Sequence, residues 1–148
     1  MILNDNHNCA FINYIPNHTN LFCSICKIDL EDLDHLIVFC PSVKPVWEFI
    51  SILFDTLGFP SLTHFNKIVG LIDEKDRNNI CNVILSIVRW QIWKRRCDIL
   101  YNKFFVPTIS VTLVVKLALK SHFEILIKSR SKHKLFDGEV VKKILEML

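Results

Sequence analysis

The sequence predicts a mainly α-helical protein with a single domain, residues 1–148. A small N-terminal lobe (residues 1–42) leads into a bundle of three longer helices and one short C-terminal helix (residues 43–148). Apolar residues recur every three or four positions, as on one face of a helix. Glycine occurs three times in 148 residues, which disfavours a loop-rich β fold. This length supports one sizeable core.

The lobe contains a closely spaced set of potential metal ligands. Cys23 and Cys26 form a Cys-x-x-Cys pair, His35 follows after eight residues, and Cys40 follows after four more. Zn²⁺ prefers thiolate and imidazole ligands in a tetrahedral arrangement, and four protein ligands leave no open position for catalysis. The spacing therefore predicts a structural Zn²⁺ that cross-links the lobe, which is too small to have much apolar core of its own.

The other cysteines fit a plainer interpretation. Cys9, Cys81 and Cys97 stand singly in apolar surroundings and are expected to be buried as small apolar side chains. The N-terminus does not resemble a signal peptide, so we expect a soluble, intracellular chain with reduced thiols rather than a disulfide framework. His7 and His18 are expected to be exposed.

The first helix is expected to begin near Pro41 and to end at Gly58, because Pro60 prevents its continuation. Trp47 is expected to pack this helix against the segment from Cys23 to Cys40 that contains the candidate ligands, which we name the metal loop. Residues 59–72 are expected to be an irregular connector with a short turn. The apolar stripe of the helix comprises Val43, Val46, Trp47, Ile50, Leu53, Phe54 and Leu57.

The second helix is expected from about Asp73 to Lys103, with acidic residues at its start where they favour the helix dipole. Its predicted core stripe places Trp90 and Trp93 in the interior rather than on a surface that stacks nucleic-acid bases. The full stripe comprises Ile80, Val83, Ile87, Trp90, Trp93, Cys97, Leu100 and Phe104.

A third helix is expected to begin at Pro107 and a last short helix to cover residues 139–148. His122 is expected to be buried or half-buried on the apolar side of the third helix. That side comprises Val111, Val114, Val115, Ala118, His122, Ile125 and Leu126.

Charge is distributed unevenly along the chain. Residues 1–76 have a net charge of −6 and residues 77–148 a net charge of +9. A basic second half favours contact with the phosphate backbone of RNA or DNA, which would weaken as salt rises; the alternative is a solvated helix face. The acidic insert between Cys26 and His35 is expected to be a solvated loop, or to supply a carboxylate such as Asp34 to the ligating imidazole. Candidate phosphate contacts are Arg89, Lys94, Arg95, Arg96, Lys103, Lys128, Arg130, Lys132 and Lys134.

The segments CSIC and DHLIVFCPSVKPVWEFI resemble the zinc-binding region of reverse transcriptase in non-LTR (LINE-like) retrotransposon polyproteins. The matching residues are Cys23, Cys26, His35, Leu36, Cys40, Pro41 and Trp47. A second segment, VRWQIWKRRCDILYN, resembles the family's tryptophan helix through Trp90, Trp93, Lys94 and Arg96. The family usually has Asn where this chain has Cys97. The resemblance covers about residues 10–105 and implies template RNA or target DNA as the partner.

Catalytic motifs are absent from the sequence. It has no HExxH metalloprotease motif, no glycine-rich phosphate loop and no Gly-x-Ser-x-Gly turn. We therefore expect neither an enzyme nor a small-molecule substrate, and no apolar run is long enough to suggest a membrane span. Two functions remain: a nucleic-acid-associated accessory domain, or a protein-interaction module that contacts a polymerase-containing protein or another copy of itself. A decaying reading frame without function is the third alternative.

Overall fold

The structure is a computed structural model that describes residues 22–70, 76–101, 110–128 and 138–148. Within these ranges it contains no strand, only one isolated antiparallel bridge between Phe22 and Leu30. The prediction of a mainly α fold with a small N-terminal lobe is confirmed. The elements are a π-helical turn (His35–Phe39), α1 (Lys44–Leu57), α2 (His64–Val69), α3 (Asp76–Tyr101), α4 (Val111–Lys128) and α5 (Gly138–Met147).

Helix α1 follows the sequence prediction closely. All seven residues of its predicted apolar stripe are buried. The helix ends where Gly58 adopts a left-handed conformation with φ 66°, which glycine accepts without steric penalty. The N–H of Phe59 then donates to the carbonyl of Phe54 at 2.9 Å, which closes the helix end.

Helix α2 lies within the segment that was expected to be an irregular connector. Its start is a capping box: the Thr63 hydroxyl accepts from the N–H of Asn66, and the Asn66 side chain accepts from the N–H of Thr63. Its end is capped by Arg89 of α3, whose guanidinium donates to the carbonyls of Ile68 at 3.0 Å and Val69 at 2.6 Å. Local capping and one distant arginine thus define this short helix.

Helix α3 is rotated relative to the sequence prediction. Trp90 is 60% exposed, so its predicted place in the core is wrong, and Trp93 is half-buried. Apolar residues occur on more than one side of this helix, and its packing against α4, α2 and the π-helical turn selects the buried side. The buried residues are Ile80, Cys81, Ile84, Leu85, Val88, Ile92 and Arg96.

Helices α4 and α5 complete the core by packing against each other and against α1. On α4 the buried side chains are Val111, Val115, Leu119 and Phe123. His122 is half-buried, as predicted, whereas Ile125 is exposed and its predicted place on the apolar side is wrong. None of the helices in the described ranges combines the length and apolar character needed to cross a membrane.

Replacement of Gly70 by alanine is predicted to destabilise the fold more than the same change at Gly58. Both glycines have left-handed φ angles, 74° and 66°, so both variants acquire strain of about 1 kcal/mol. At Gly58 an added Cβ meets nothing within 4 Å, whereas at Gly70 it meets the guanidinium of Arg89. The measurement is urea unfolding of Gly70→Ala and Gly58→Ala. Equal losses of unfolding free energy would contradict the capping role of Arg89.

Candidate metal centre

The four predicted ligands converge on one point in the lobe. The Sγ atoms of Cys23, Cys26 and Cys40 and a ring nitrogen of His35 all lie within 4.8 Å of one another. The Sγ of Cys26 is 3.3 Å from Nε2 of His35. Ligands bound at about 2.0–2.3 Å to one tetrahedral ion are about 4 Å apart or less, so small side-chain shifts would bring all four onto one ion. The five cysteines in the described residues are free thiols.

A tight turn presents the Cys-x-x-Cys pair. The N–H of Lys27 donates to the carbonyl of Cys23 at 2.9 Å, and Lys27 adopts a left-handed φ of 62°. The N–H of Cys23 donates in turn to the carbonyl of Asp29 at 2.7 Å, which returns the chain beside its start. The N–H groups of Ile25 and Cys26 point to the sulfur of Cys23. The turn therefore supplies both thiols and backbone donors that stabilise a thiolate.

The buried thiols are poised to bind a cation. A hydrogen bond from the Cys40 thiol lowers the pKa of Cys23 to about 5, against the opposing effect of burial, and the N–H groups of Cys26 and Ile25 add to the lowering. Sharing its proton with Cys23, together with burial, raises the pKa of Cys40. The lowered pKa favours the thiolate form of Cys23, which is the form that binds a metal ion.

The π-helical turn positions the imidazole and is held at several points. The N–H of His35 donates to Oδ1 of Asp32 at 2.6 Å, which restrains the start of the turn. The N–H of Cys40 donates to the carbonyl of His35 at 2.7 Å and so fixes the spacing between the two ligands. The indole N–H of Trp47 donates to the carbonyl of Ile37 at 2.6 Å, which confirms that Trp47 packs α1 against the metal loop.

A carboxylate lies near the other nitrogen of the imidazole, but it is Asp29 rather than the neighbouring Asp34. Oδ2 of Asp29 is 3.8 Å from Nδ1 of His35, which is beyond hydrogen-bond distance. Oδ2 of Asp34 instead lies 3.8 Å from Nε2 of His64 on α2. The predicted hydrogen bond from the imidazole to Asp34 is therefore not formed.

A buried ion pair connects the metal loop to α3. One carboxylate oxygen of Glu31 accepts from the N–H and the hydroxyl of Ser24, at 2.8 Å and 2.9 Å. The other accepts from Nε and from a terminal nitrogen of Arg96, both at 2.6 Å. Burial raises the pKa of Glu31, but the hydrogen bonds from Ser24 and Arg96 outweigh it and hold that pKa below its usual value. Ser24 stands between the two cysteines of the pair, so Arg96 restrains the metal loop through Glu31.

This pair corrects two predictions from the sequence. Arg96 is 4% exposed and Glu31 is largely buried, so neither is a solvated surface charge, and Arg96 drops out of the phosphate contacts. The signal that could have identified it is its spacing. Val88, Ile92 and Arg96 step by four along α3, so Arg96 continues the buried stripe.

The remaining candidate phosphate contacts do not form one cluster in the described residues. Arg89 caps α2, and burial lowers its pKa, so its role is structural, like that of Arg96. Lys94 is exposed and lies 3.5 Å from Asp98 one turn later, Arg95 is half-buried, and Lys128 is exposed at the end of α4. The other four lie outside the described residues: Lys103, Arg130, Lys132 and Lys134.

No protein-family model matches the chain, and no curated protein or solved structure is significantly similar to it. The metal centre is therefore defined by its own geometry. Three thiols and one imidazole, contributed by two short turns, enclose a site of the size that one metal ion requires.

Replacement of Cys26 by serine is predicted to abolish metal binding and to reduce helicity. The wild type is expected to contain one metal ion per chain and to lose structure when a chelator removes it, because the lobe has little apolar core to replace the metal. The measurements are elemental analysis and circular dichroism. Cys97→Ser changes a half-buried cysteine outside the cluster and should retain the metal. Full helicity in chelator would contradict a structural role for the site.

Replacement of Arg96 by glutamine is predicted to lower the free energy of unfolding by about 3 kcal/mol. The change leaves the carboxylate of Glu31 without its charged partner in a largely buried position. Lys94→Gln, two residues away, removes an exposed ion pair and should change that free energy by about 0.5 kcal/mol or less. Chemical denaturation of both zinc-loaded variants measures the difference. Similar effects for the two variants would show that Arg96 does not restrain the loop.

Proposed function

We propose that the chain is a non-catalytic accessory domain whose N-terminal lobe is folded around a structural Zn²⁺. The observation that supports this most directly is the convergence of Cys23, Cys26, His35 and Cys40. Three sulfurs and one nitrogen in a tetrahedral arrangement suit Zn²⁺ better than ions that prefer oxygen ligands. The bound ion would supply the cross-link between the two turns of the lobe.

The surroundings of the site support a structural rather than a catalytic role. Four protein ligands leave no position for a water or a substrate. Two of the nearby carboxylates hold the loop: Glu31 accepts from Ser24 and Arg96, and Asp32 accepts from the N–H of His35. With four protein ligands bound, the metal-bound water that zinc hydrolases require has no coordination position.

We also propose that the domain derives from the zinc-binding region of a non-LTR retrotransposon reverse transcriptase. This proposal is supported by the contacts of residues in the two segments that resemble the family. Trp47 of the first segment bonds to the turn that carries His35, and Arg96 of the second segment restrains the CSIC turn through Glu31. Residues that match two separate signatures thus act in one structural unit.

For the partner we propose the backbone of RNA or DNA, contacted by the basic second half of the chain. The net charge of +9 in residues 77–148 supports this proposal. Lys94 and Lys128 are exposed and suited to contact phosphate, whereas Arg89 and Arg96 serve the fold. A protein partner is the alternative, favoured by the exposed apolar side chains of the lobe, among them Phe22 and Leu30.

Reversing the charge of Lys94 and Lys128 is predicted to weaken nucleic-acid binding about equally for all sequences. Each lost phosphate contact should reduce the slope of log affinity against log salt by about 1. The measurement is fluorescence anisotropy with a labelled single-stranded RNA and a labelled DNA duplex, over a range of salt concentrations. Lys44→Glu on α1 is the control, because it changes an exposed lysine in the acidic half of the chain. An affinity that does not change with salt concentration, or an equal loss of affinity in Lys44→Glu, would refute the nucleic-acid proposal.

A further inference from the structure

The metal lobe exposes large apolar side chains along one segment, residues 22–33, whose exposed apolar surface we name the lobe face. It comprises Phe22, Ile28, Leu30 and Leu33, which are between 39% and 64% exposed. Phe22 and Leu30 are paired in the antiparallel bridge, so their side chains are neighbours on the same side of the hairpin. Four such residues within twelve positions are more than the isolated apolar side chains common on protein surfaces.

The lobe face is acidic as well as apolar. Asp29, Asp32 and Asp34 are exposed along the same segment, where their carboxylates also lie near His35 or His64. Lys27 is the one basic residue between Phe22 and His35. A surface of this composition fits a partner that is both apolar and basic. Glu31 does not contribute to it, because Arg96 neutralises its charge inside the fold.

The outward side of α4 has the opposite character, and we name it the α4 face. Leu113, Leu117 and Ile125 are between 49% and 62% exposed there, while the other side of the helix packs into the core. Lys120 and Lys128 are exposed along the same helix. Glu124, one turn after Lys120, lies on this face too and is half-buried, and as the one acidic residue of α4 it is outnumbered by Lys120 and Lys128, so the face is apolar with a net positive charge.

We propose that the lobe face of one copy of the chain docks on the α4 face of a second copy. Both faces are exposed within a single copy, so neither covers the other in the same molecule. Docking would remove apolar side chains from water and would bring the aspartates of one copy near the lysines of the next. Such a head-to-tail contact joins two different surfaces, so each end of a dimer has one free face and can add another copy.

This proposal goes beyond nucleic-acid binding but rests on the proposed zinc site, because the metal loop carries the lobe face. The experiment therefore uses zinc-loaded full-length chain, and the zinc content of every sample is measured beside its oligomeric state. Sedimentation-velocity runs from about 5 µM to about 200 µM cover the range in which a contact of micromolar affinity becomes populated.

Two variants each disrupt one face. Leu30→Lys places a positive charge on the lobe face, and Leu117→Asp places a negative charge on the α4 face. Each variant alone is expected to associate at least about tenfold more weakly than the wild type, because like charges then meet in the contact. Ile52→Lys is the control, since Ile52 is an exposed apolar residue of α1 outside both faces, and it should associate like the wild type.

The decisive sample is an equimolar mixture of the Leu30→Lys and Leu117→Asp chains. Each variant retains the face that the other has lost, and the two introduced charges are opposite, so the mixture should associate although neither variant associates alone. A zinc-loaded wild type that stays monomeric throughout, or a mixture that stays monomeric, would overturn the docking proposal alone. Association that follows this pattern without bound zinc would support docking and overturn the zinc site.

Discussion

The lobe depends on the convergence of three sulfurs and one imidazole within 4.8 Å. Such a cluster is unfavourable without a cation, because a buried thiolate must be neutralised by something nearby. The Cys40 thiol and the backbone N–H groups of Cys26 and Ile25 lower the pKa of Cys23 and so stabilise its thiolate in part. A divalent ion within the cluster would bind all four groups at once. It would also replace the apolar core that a lobe of this size cannot build.

Around this centre the chain adds specific polar contacts to the apolar burial of Leu36, Ile37 and Trp47. The Trp47 indole holds the turn that carries His35, and the Glu31 carboxylate binds Ser24 nearby and Arg96, which is 65 residues further along the sequence. Buried ion pairs add little net stability, because both charges lose their hydration, but an arrangement that separates the two partners leaves a buried charge unpaired and is strongly disfavoured. The Glu31–Arg96 pair therefore selects one position of the metal loop on α3. The proposed metal chemistry and the helical core are connected at that point.

The features that could be predicted from the sequence are those fixed by local chemistry. The ligand quartet follows from residue type and spacing, and the end of α1 follows from Gly58 and Pro60. The rotation of α3 could not be predicted, because its apolar residues occur on several sides and the tertiary neighbours decide which side is buried. This is why Trp90 is exposed while Ile92 is in the core. The burial of Arg96 could have been inferred from its spacing after Val88 and Ile92, but its pairing with Glu31 could not, because Glu31 lies in a distant acidic loop that was expected to be solvated.

X-ray absorption at the zinc edge of the purified, zinc-loaded chain measures directly which atoms bind the ion. A closed site predicts a first shell of three sulfurs at about 2.3 Å and one nitrogen at about 2.0 Å, from Cys23, Cys26, Cys40 and His35. Because the fourth ligand is the imidazole, the spectrum should also contain the outer-shell scattering of its ring. A first shell containing water or carboxylate oxygen, or fewer than three sulfurs, would contradict a closed structural site.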